Sequence, residues 1–214
     1  MILTGPEILR QRDEGRLAIE PFDARQINPN SYNLRLADTL RVYLPDSEPD
    51  LSAWIPSTAL PAAGLDCHQD NPTWAFPIPK EGIKLYPGKL YLGSTVERTA
   101  SDHFVPMLEG RSSLARLGIS VHQTGGFGDL GFAGNWTLEL TCVEPVRIYA
   151  GMEVCQVQFW TATGAPMLYG RLKHKPSKYY EQTEPTPSKL HTETGDSSDG
   201  KRTADGEADG SAPD

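Results

Sequence analysis

Cysteine is scarce in this chain: three in 214 residues, Cys67, Cys142 and Cys155, with no C-x-x-C pair among them. An odd, unpaired set argues against a disulfide framework and fits reduced thiols in a cytoplasm. Cys142 and Cys155 sit in apolar strand-like runs, where a thiol behaves as a small buried hydrophobe. No apolar run approaches the ~18 residues of a membrane helix. The opening MILTGPEILRQ lacks a basic stretch followed by an apolar one, so the expectation is a soluble, cytoplasmic chain without a signal peptide. Positive charge is also short, with 20 Lys and Arg against 28 Asp and Glu and a formal net charge of −8. That balance argues against a nucleic-acid or membrane-surface binder, because phosphate backbones favour a basic face. The five histidines, at 68, 103, 122, 174 and 191, lack matched ligand spacing. No H-x-E…P-C-x-x-C set exists to hold a hydrolytic zinc, so zinc is not expected.

What the chain does have is unevenly placed. From His191 to Asp214 there are seven acidic and two basic residues, a net of −5, which leaves −3 for the remainder. The same stretch has no aliphatic side chain larger than Ala and cannot repay its ordering entropy, so 191–214 is expected to be a disordered acidic tail. Residues 1–190 suffice for one domain. Thr4-Gly5-Pro6-Glu7 reads as a capping box with Pro in the first turn, opening a short helix to Glu14 that Gly15 can close. Beyond it the pattern is short strands and turns. Residues 27–36 begin as a turn and become a strand with Leu34 and Leu36 on one face. Residues 84–98 read as two strands around Pro87-Gly88, and the strands 143–148 and 154–160 flank a turn at Ala150-Gly151. From Pro45 to Lys80 the composition turns to Pro, Asp, Ser and Ala with Trp54 and Trp74, which predicts a long irregular excursion. Many short strands with one short helix predict an all-β sandwich or barrel.

Chemistry concentrates between Glu109 and Leu140, EGRSSLARLGISVHQTGGFGDLGFAGNWTLEL. Gly110-Arg111-Ser112-Ser113 offers a guanidinium fork, two hydroxyls and a flexible backbone, which suit the oxygens of a phosphate chain. Residues 125–132 hold four glycines, permitting positive φ and close backbone approach, and they present Asp129 and Phe132. Trp136-Thr137-Leu138-Glu139-Leu140 alternates as a half-buried strand, so Glu139 shares a face with Thr137. Each feature alone is more often ordinary surface or hairpin than site; their order and spacing together carry the signal.

The order Gly-Arg-Ser-Ser-Leu-x-Arg-Leu-Gly at 110–118, His-x-Thr at 122–124, Gly-Phe-x-Asp-x-Gly-Phe-x-Gly at 126–134 and Thr-Leu-Glu at 137–139 resembles the dCTP deaminase branch of the trimeric dUTPase superfamily. Pro29-x-Ser31-x-x-Leu34-Arg35-Leu36 and the arm Ser177-Lys178-Tyr179-x-x-Gln182-x-x-Pro185-Thr186-Pro187-Ser188 extend the resemblance over about Met1 to Leu190. It implies a distorted jelly-roll or β-barrel of the dUTPase-like type, assembled as a homotrimer. Sites would lie between subunits, with the basic loop from one chain and the Gly-rich turn from its neighbour. The implied reaction is metal-independent hydrolysis of dCTP to dUTP and ammonia. Glu139 would be the general acid/base, Arg116 its electrostatic support, and Ser112 a holder of water and phosphate. Arg111 and Ser113 would bind the triphosphate, with Mg²⁺ bridging phosphate oxygens and no metal ligand from the protein. Asp129 would receive the 3′-hydroxyl, Phe132 would pack on the sugar, and the backbone at Thr124-Gly125 would read the base edge. Tyr169, Lys178 and Gln182 would close over the nucleotide in an arm beginning at about 169. His122, Ser31 and Asn33 read as structural. Phe127 stands where monofunctional deaminases carry Arg and is closer to bifunctional members, Leu130 stands where Pro is common, and Gly125 where Ala is common. A bifunctional enzyme giving dUMP and pyrophosphate, a dUTP diphosphatase and a non-catalytic nucleotide-binding trimer are therefore alternatives.

Overall fold

Helix α1 spans Gly5–Asp13, with Pro in its first turn. The computed structural model to which it belongs describes residues 1–44, 64–172 and 177–193. The expected capping box does not form, since Thr4 makes no side-chain cap hydrogen bond. The Glu7 carboxylate that would complete the box is taken instead by Arg10 Nε at 2.9 Å and Gln11 Nε2 at 2.6 Å. Among the described residues no helix is long and apolar enough to cross a membrane.

The strands are β1 Ala18–Glu20, β2 Tyr32–Arg35, β3 Thr39–Tyr43, β4 Thr73–Pro77, β5 Ile83–Leu85, β6 Tyr91–Ala100 and β7 Phe104–Gly110, followed by the one-turn helix α2 Ser112–Ala115. Then come β8 Ile119–Ser120, β9 Ala133–Cys142, β10 Val146–Ile148 and β11 Glu153–Thr161. One sheet runs β4-β3-β6-β9-β8 with β1 also on β6, a second runs β2-β11-β7, and β5 pairs β10. The fold is all-β. Its core draws Leu34 and Leu36 from the second sheet's rim, Leu138 and Leu140 from β9, and Val157 and Phe159 from β11, all at most 1% exposed. Cys142 and Cys155 are buried in it, and burial pushes the Cys155 thiol far up from its ordinary value.

Two turns read from sequence are corners, where a hairpin would have paired its own flanks. β5 and β6 flank Pro87-Gly88, yet β5 pairs β10 while β6 pairs β3 and β9. β10 and β11 flank Gly151, yet β11 pairs β2 and β7. Gly88 and Gly151 take φ of 75° and 76° at these corners, a region open to glycine at little cost. The chain thereby switches sheets twice, which wraps the sheets about one core. The strand expected over 143–148 is shorter and starts at Val146.

The excursion expected to be irregular contains β4, which pairs antiparallel with β3 from Thr39↔Pro77 to Tyr43↔Thr73. Trp74 and Phe76 stack on one face of it with centroids 4.7 Å apart. Its prolines hid it, but β4 is an edge strand, where a missing ladder donor is tolerated. Residues 45–63, Trp54 among them, lie outside the described residues. Of the tail expected to be disordered, residues 191–193 complete a 3-10 turn at Leu190–Glu193; the remainder, 194–214, lies outside the described residues.

Candidate active site

Strand β9 alternates as expected: Trp136, Leu138 and Leu140 are buried, while Thr137 and Glu139 are half-buried on the other face. Over that face opens a cavity of about 480 Å³. Thr137 and Glu139 form one wall, Gly125, Phe127, Asp129 and Phe132 another, and Tyr169, Tyr179 and Gln182 cover it. Glu139 Oε2 accepts the Gln123 backbone N–H at 3.0 Å, and Gln123 Nε2 donates to Thr141 Oγ1 at 3.0 Å. A carboxylate so anchored keeps one oxygen for the loop that follows β8 and presents the group to the cavity, the geometry a proton shuttle needs.

The Gly-rich turn is shaped by its packing on β7. Leu108 N–H donates to Gly126 O at 2.6 Å and Gly128 N–H to Pro106 O at 2.9 Å. A Cβ on Gly126 would meet the Leu108 carbonyl, and one on Gly128 would meet the Trp136 ring. Gly125 has open space around it, so the Ala common there in the resembled family would fit. Phe127 is left 66% exposed at the cavity mouth. Phe132 is buried and tilted against Trp136, ring centroids 4.4 Å apart, which fixes the apolar surface it presents to the cavity.

The arm lies on β9 within the same chain. Glu181 N–H donates to Ala133 O at 2.7 Å, Asn135 N–H to Gln182 O at 2.9 Å, and Gln182 Nε2 to Asn135 O at 2.9 Å. Thr186 N–H reaches Thr137 Oγ1 at 3.1 Å, Arg41 Nε reaches Pro185 O at 2.9 Å, and Ser188 N–H reaches Tyr43 Oη at 2.9 Å. Burial holds the Tyr43 hydroxyl above its ordinary pKa, so it stays protonated at the cavity wall. Tyr169 accepts the Tyr179 N–H at 3.0 Å. A second cavity of about 410 Å³ continues past Asp129 and Tyr169, where Lys178 is ion-paired with Glu193.

The basic loop stands apart. Ser112, Ser113 and Arg116 are exposed, and Arg116 Nη1 donates to the Ser112 carbonyl of its own turn at 3.0 Å. Arg111 pairs with Glu153 at 3.0 Å. None of the four lines the cavity that holds Glu139. Thr124 is exposed and does not line it either, whereas Gly125 does. His122 lies outside it, its Nδ1 buried without a hydrogen-bond partner among the described residues and Nε2 3.7 Å from Glu109. Sequence reasoning missed Gln123, Tyr43 and Tyr179. The alternation of Arg41 with Tyr43 on β3 was a usable signal for the second; a backbone N–H donor such as that of Gln123 leaves none.

The dCTP deaminase-like family model matches residues 2–162. A Clostridium beijerinckii protein named dCTP deaminase, dUMP-forming, is 46% identical over 178 residues, covering 83% of this chain and 92% of that protein. A Cytophaga hutchinsonii protein of the same name is 46% identical over 190 residues, covering 86% and 99%. The crystal structure of 2'-deoxycytidine 5'-triphosphate deaminase from Agrobacterium tumefaciens superposes with a TM-score of 0.54 at 20% identity. That match spans 75% of this chain and 48% of that one, a likeness of fold. With the motifs of the cavity wall lying inside the matched residues, this chain belongs to the dCTP deaminase-like family.

Proposed function

We propose that the chain deaminates dCTP and carries the product on to dUMP and pyrophosphate, in cytoplasmic homotrimers whose sites are shared between copies. The observation that carries this reading is the convergence of Glu139, Asp129, Phe127 and Phe132 on one covered cavity. The names of the relatives favour the dUMP-forming reading over one that stops at dUTP, and the aromatic Phe127 in place of Arg agrees with it.

In the first step water adds to C4 of cytosine as Glu139 takes one of its protons and passes it to N3; the carboxylate then takes the proton of the new 4-hydroxyl and delivers it to the amine, so that the C4 carbonyl forms as the C–N bond breaks and ammonia departs. The sum is dCTP and water to dUTP and ammonia. Phe132 packs on the deoxyribose and Asp129 accepts a hydrogen bond from its 3′-hydroxyl, while Gly125 offers backbone groups to the base edge. In the second step water attacks the α-phosphorus and pyrophosphate leaves, with Asp129 placed to orient that water. Tyr169, Lys178 and Gln182 cover the nucleotide. From a neighbouring copy, Ser112 steadies water and phosphate, Arg111 and Ser113 hold the triphosphate, and Arg116 supports Glu139. Asp129, Lys178 and Glu193 line the adjoining chamber, a mixed acidic and basic set that fits a triphosphate carrying Mg²⁺. Bound there, Mg²⁺ would neutralise phosphate charge.

The test is to incubate purified protein and Mg²⁺ with dCTP or with dUTP and to measure ammonia, dUTP, dUMP and pyrophosphate separately. Ammonia and pyrophosphate in equal amounts from dCTP are expected. Accumulating dUTP would restore the deaminase that stops there. Pyrophosphate from dUTP with no ammonia from dCTP would make it a dUTP diphosphatase, and no product from either would leave a non-catalytic trimer.

A further inference from the structure

The triphosphate contact assigned to Arg111 depends on where its guanidinium points, and the fold fixes that direction from beneath. Arg111 Nη1 donates to the Glu153 carbonyl at 3.0 Å and forms an ion pair with Glu153 Oε2 at 3.0 Å. A hydrogen bond and an ion pair from one residue to one nitrogen restrain the rotamer of the side chain. The same Glu153 Oε2 accepts Asn33 Nδ2 at 2.9 Å, and Asn33 Oδ1 accepts Asn28 Nδ2 at 2.7 Å. Asn28 Nδ2 also reaches Ser31 Oγ at 3.2 Å, and Ser31 Oγ donates to Gln156 Oε1 at 2.7 Å. Gln156 Nε2 then donates to the Gly110 carbonyl at 3.2 Å. The path starts at Arg111 and returns to the residue before it, a closed polar ring built on β2 and β11.

The floor of this ring is dry and braced. Ser31 is 2% and Asn33 6% exposed, so water competes poorly for their bonds. The Asn33 carbonyl is held by Gln26 Nε2 at 2.7 Å, and that same nitrogen donates to Glu97 Oε1 at 3.0 Å. Glu97 is fully buried and takes Arg35 Nε at 2.6 Å. The rim is different: the side chains of Arg111 and Glu153 are 34% and 32% exposed. A pair so wet adds little to stability. What it removes is the rotamer freedom of a long side chain before a ligand arrives.

We infer that Glu153, backed by Asn33 and Gln156, is a positioning residue for the triphosphate, acting through Arg111. The inference rests on the reading that Arg111 meets phosphate. Glu153 is a negative charge beside a proposed polyanion site, so simple repulsion and positioning give opposite signs. Repulsion alone would make Glu153→Ala bind triphosphate more tightly; positioning makes it bind more weakly, because ordering Arg111 is then left to the ligand.

The experiment compares wild type, Glu153→Gln, Glu153→Ala, Arg111→Ala and the Arg111→Ala/Glu153→Ala double variant, measuring kcat and KM for dCTP and the affinity for inorganic triphosphate. Glu153→Gln keeps shape and an acceptor, and it serves if the alanine variant folds poorly. Expected are a KM raised on the order of five- to tenfold in Glu153→Ala, a smaller rise in Glu153→Gln, and kcat within about twofold. Inorganic triphosphate should weaken in parallel, and the Glu153 effect should vanish in the Arg111→Ala background. An unchanged or lower KM, a loss in kcat alone, or an undiminished Glu153 effect without Arg111 would each overturn the inference. Wild type releasing neither ammonia nor pyrophosphate from dCTP would instead sink the functional reading beneath it.

Discussion

Around Glu139 the chain closes on itself, whereas around Ser112 to Arg116 it leaves its side chains facing outward. The first region has a strand wall, a Gly-rich turn pressed on β7 and an arm pinned to β9 by paired backbone hydrogen bonds. The second has exposed hydroxyls and a guanidinium folded onto its own turn. Beside that turn Leu117 is 58% and Val143 73% exposed, apolar surface of the kind another molecule covers. The difference teaches that the cavity is a property of one chain, whereas the basic loop has no counterpart in that cavity, and the proposed function takes its counterpart from a second copy.

The largest expected effect separates chemistry from binding. Glu139→Gln should cut ammonia release by about 10²- to 10⁴-fold while dCTP affinity, read by calorimetry, stays within a few-fold. Loss of binding would make Glu139 part of the wall alone. Next comes the arm. Removing the chain from Lys178 onward should lower kcat/KM on the order of 100-fold, since it strips the cavity's cover, whereas a stop after Glu193 should leave turnover unchanged. A stop after Leu190 sits between them, because it also removes the exposed Lys178–Glu193 pair, which is worth at most ~1 kcal/mol. Equal damage from a stop after Glu193 and from removal at Lys178 would refute this boundary.

A finer contrast lies inside the Gly-rich turn. Gly128→Ala should destabilise by about 2 kcal/mol in urea titration because its Cβ collides with Trp136, while Gly125→Ala should stay within about 0.5 kcal/mol. Similar values for the two would mean that the turn's shape does not depend on Trp136. The smallest effect concerns thiols. Exposed Cys67 should react at once with a disulfide reagent, and buried Cys142 and Cys155 only after unfolding.

How far the sequence exposed this structure depends on the range of the interaction. The faces of β9 follow from alternation alone, which puts Thr137 and Glu139 on one side. Pro87-Gly88 and the glycine at 151 were legible as turns, but which sheet each flanking strand joins is decided by partners far along the chain. Strand β4 was hidden by Pro72, Pro77 and Pro79, since edge position and not composition is what makes them tolerable. The Arg111–Glu153 contact spans 42 positions and has no local signature. Glu7 spoiled the helix cap by finding Arg10 and Gln11 on its own helix, a competition that the spacing alone does not resolve.

The central claim is that the two regions are halves of one dCTP site meeting between copies. Co-expressing Glu139→Gln with Arg116→Ala, each inactive and folded by itself, tests it most directly. Assemblies containing both should regain ammonia release from dCTP, because one interface then pairs an intact carboxylate with an intact basic loop. A mixed population as inactive as either parent, with mixed assembly verified by differential tags, would contradict it.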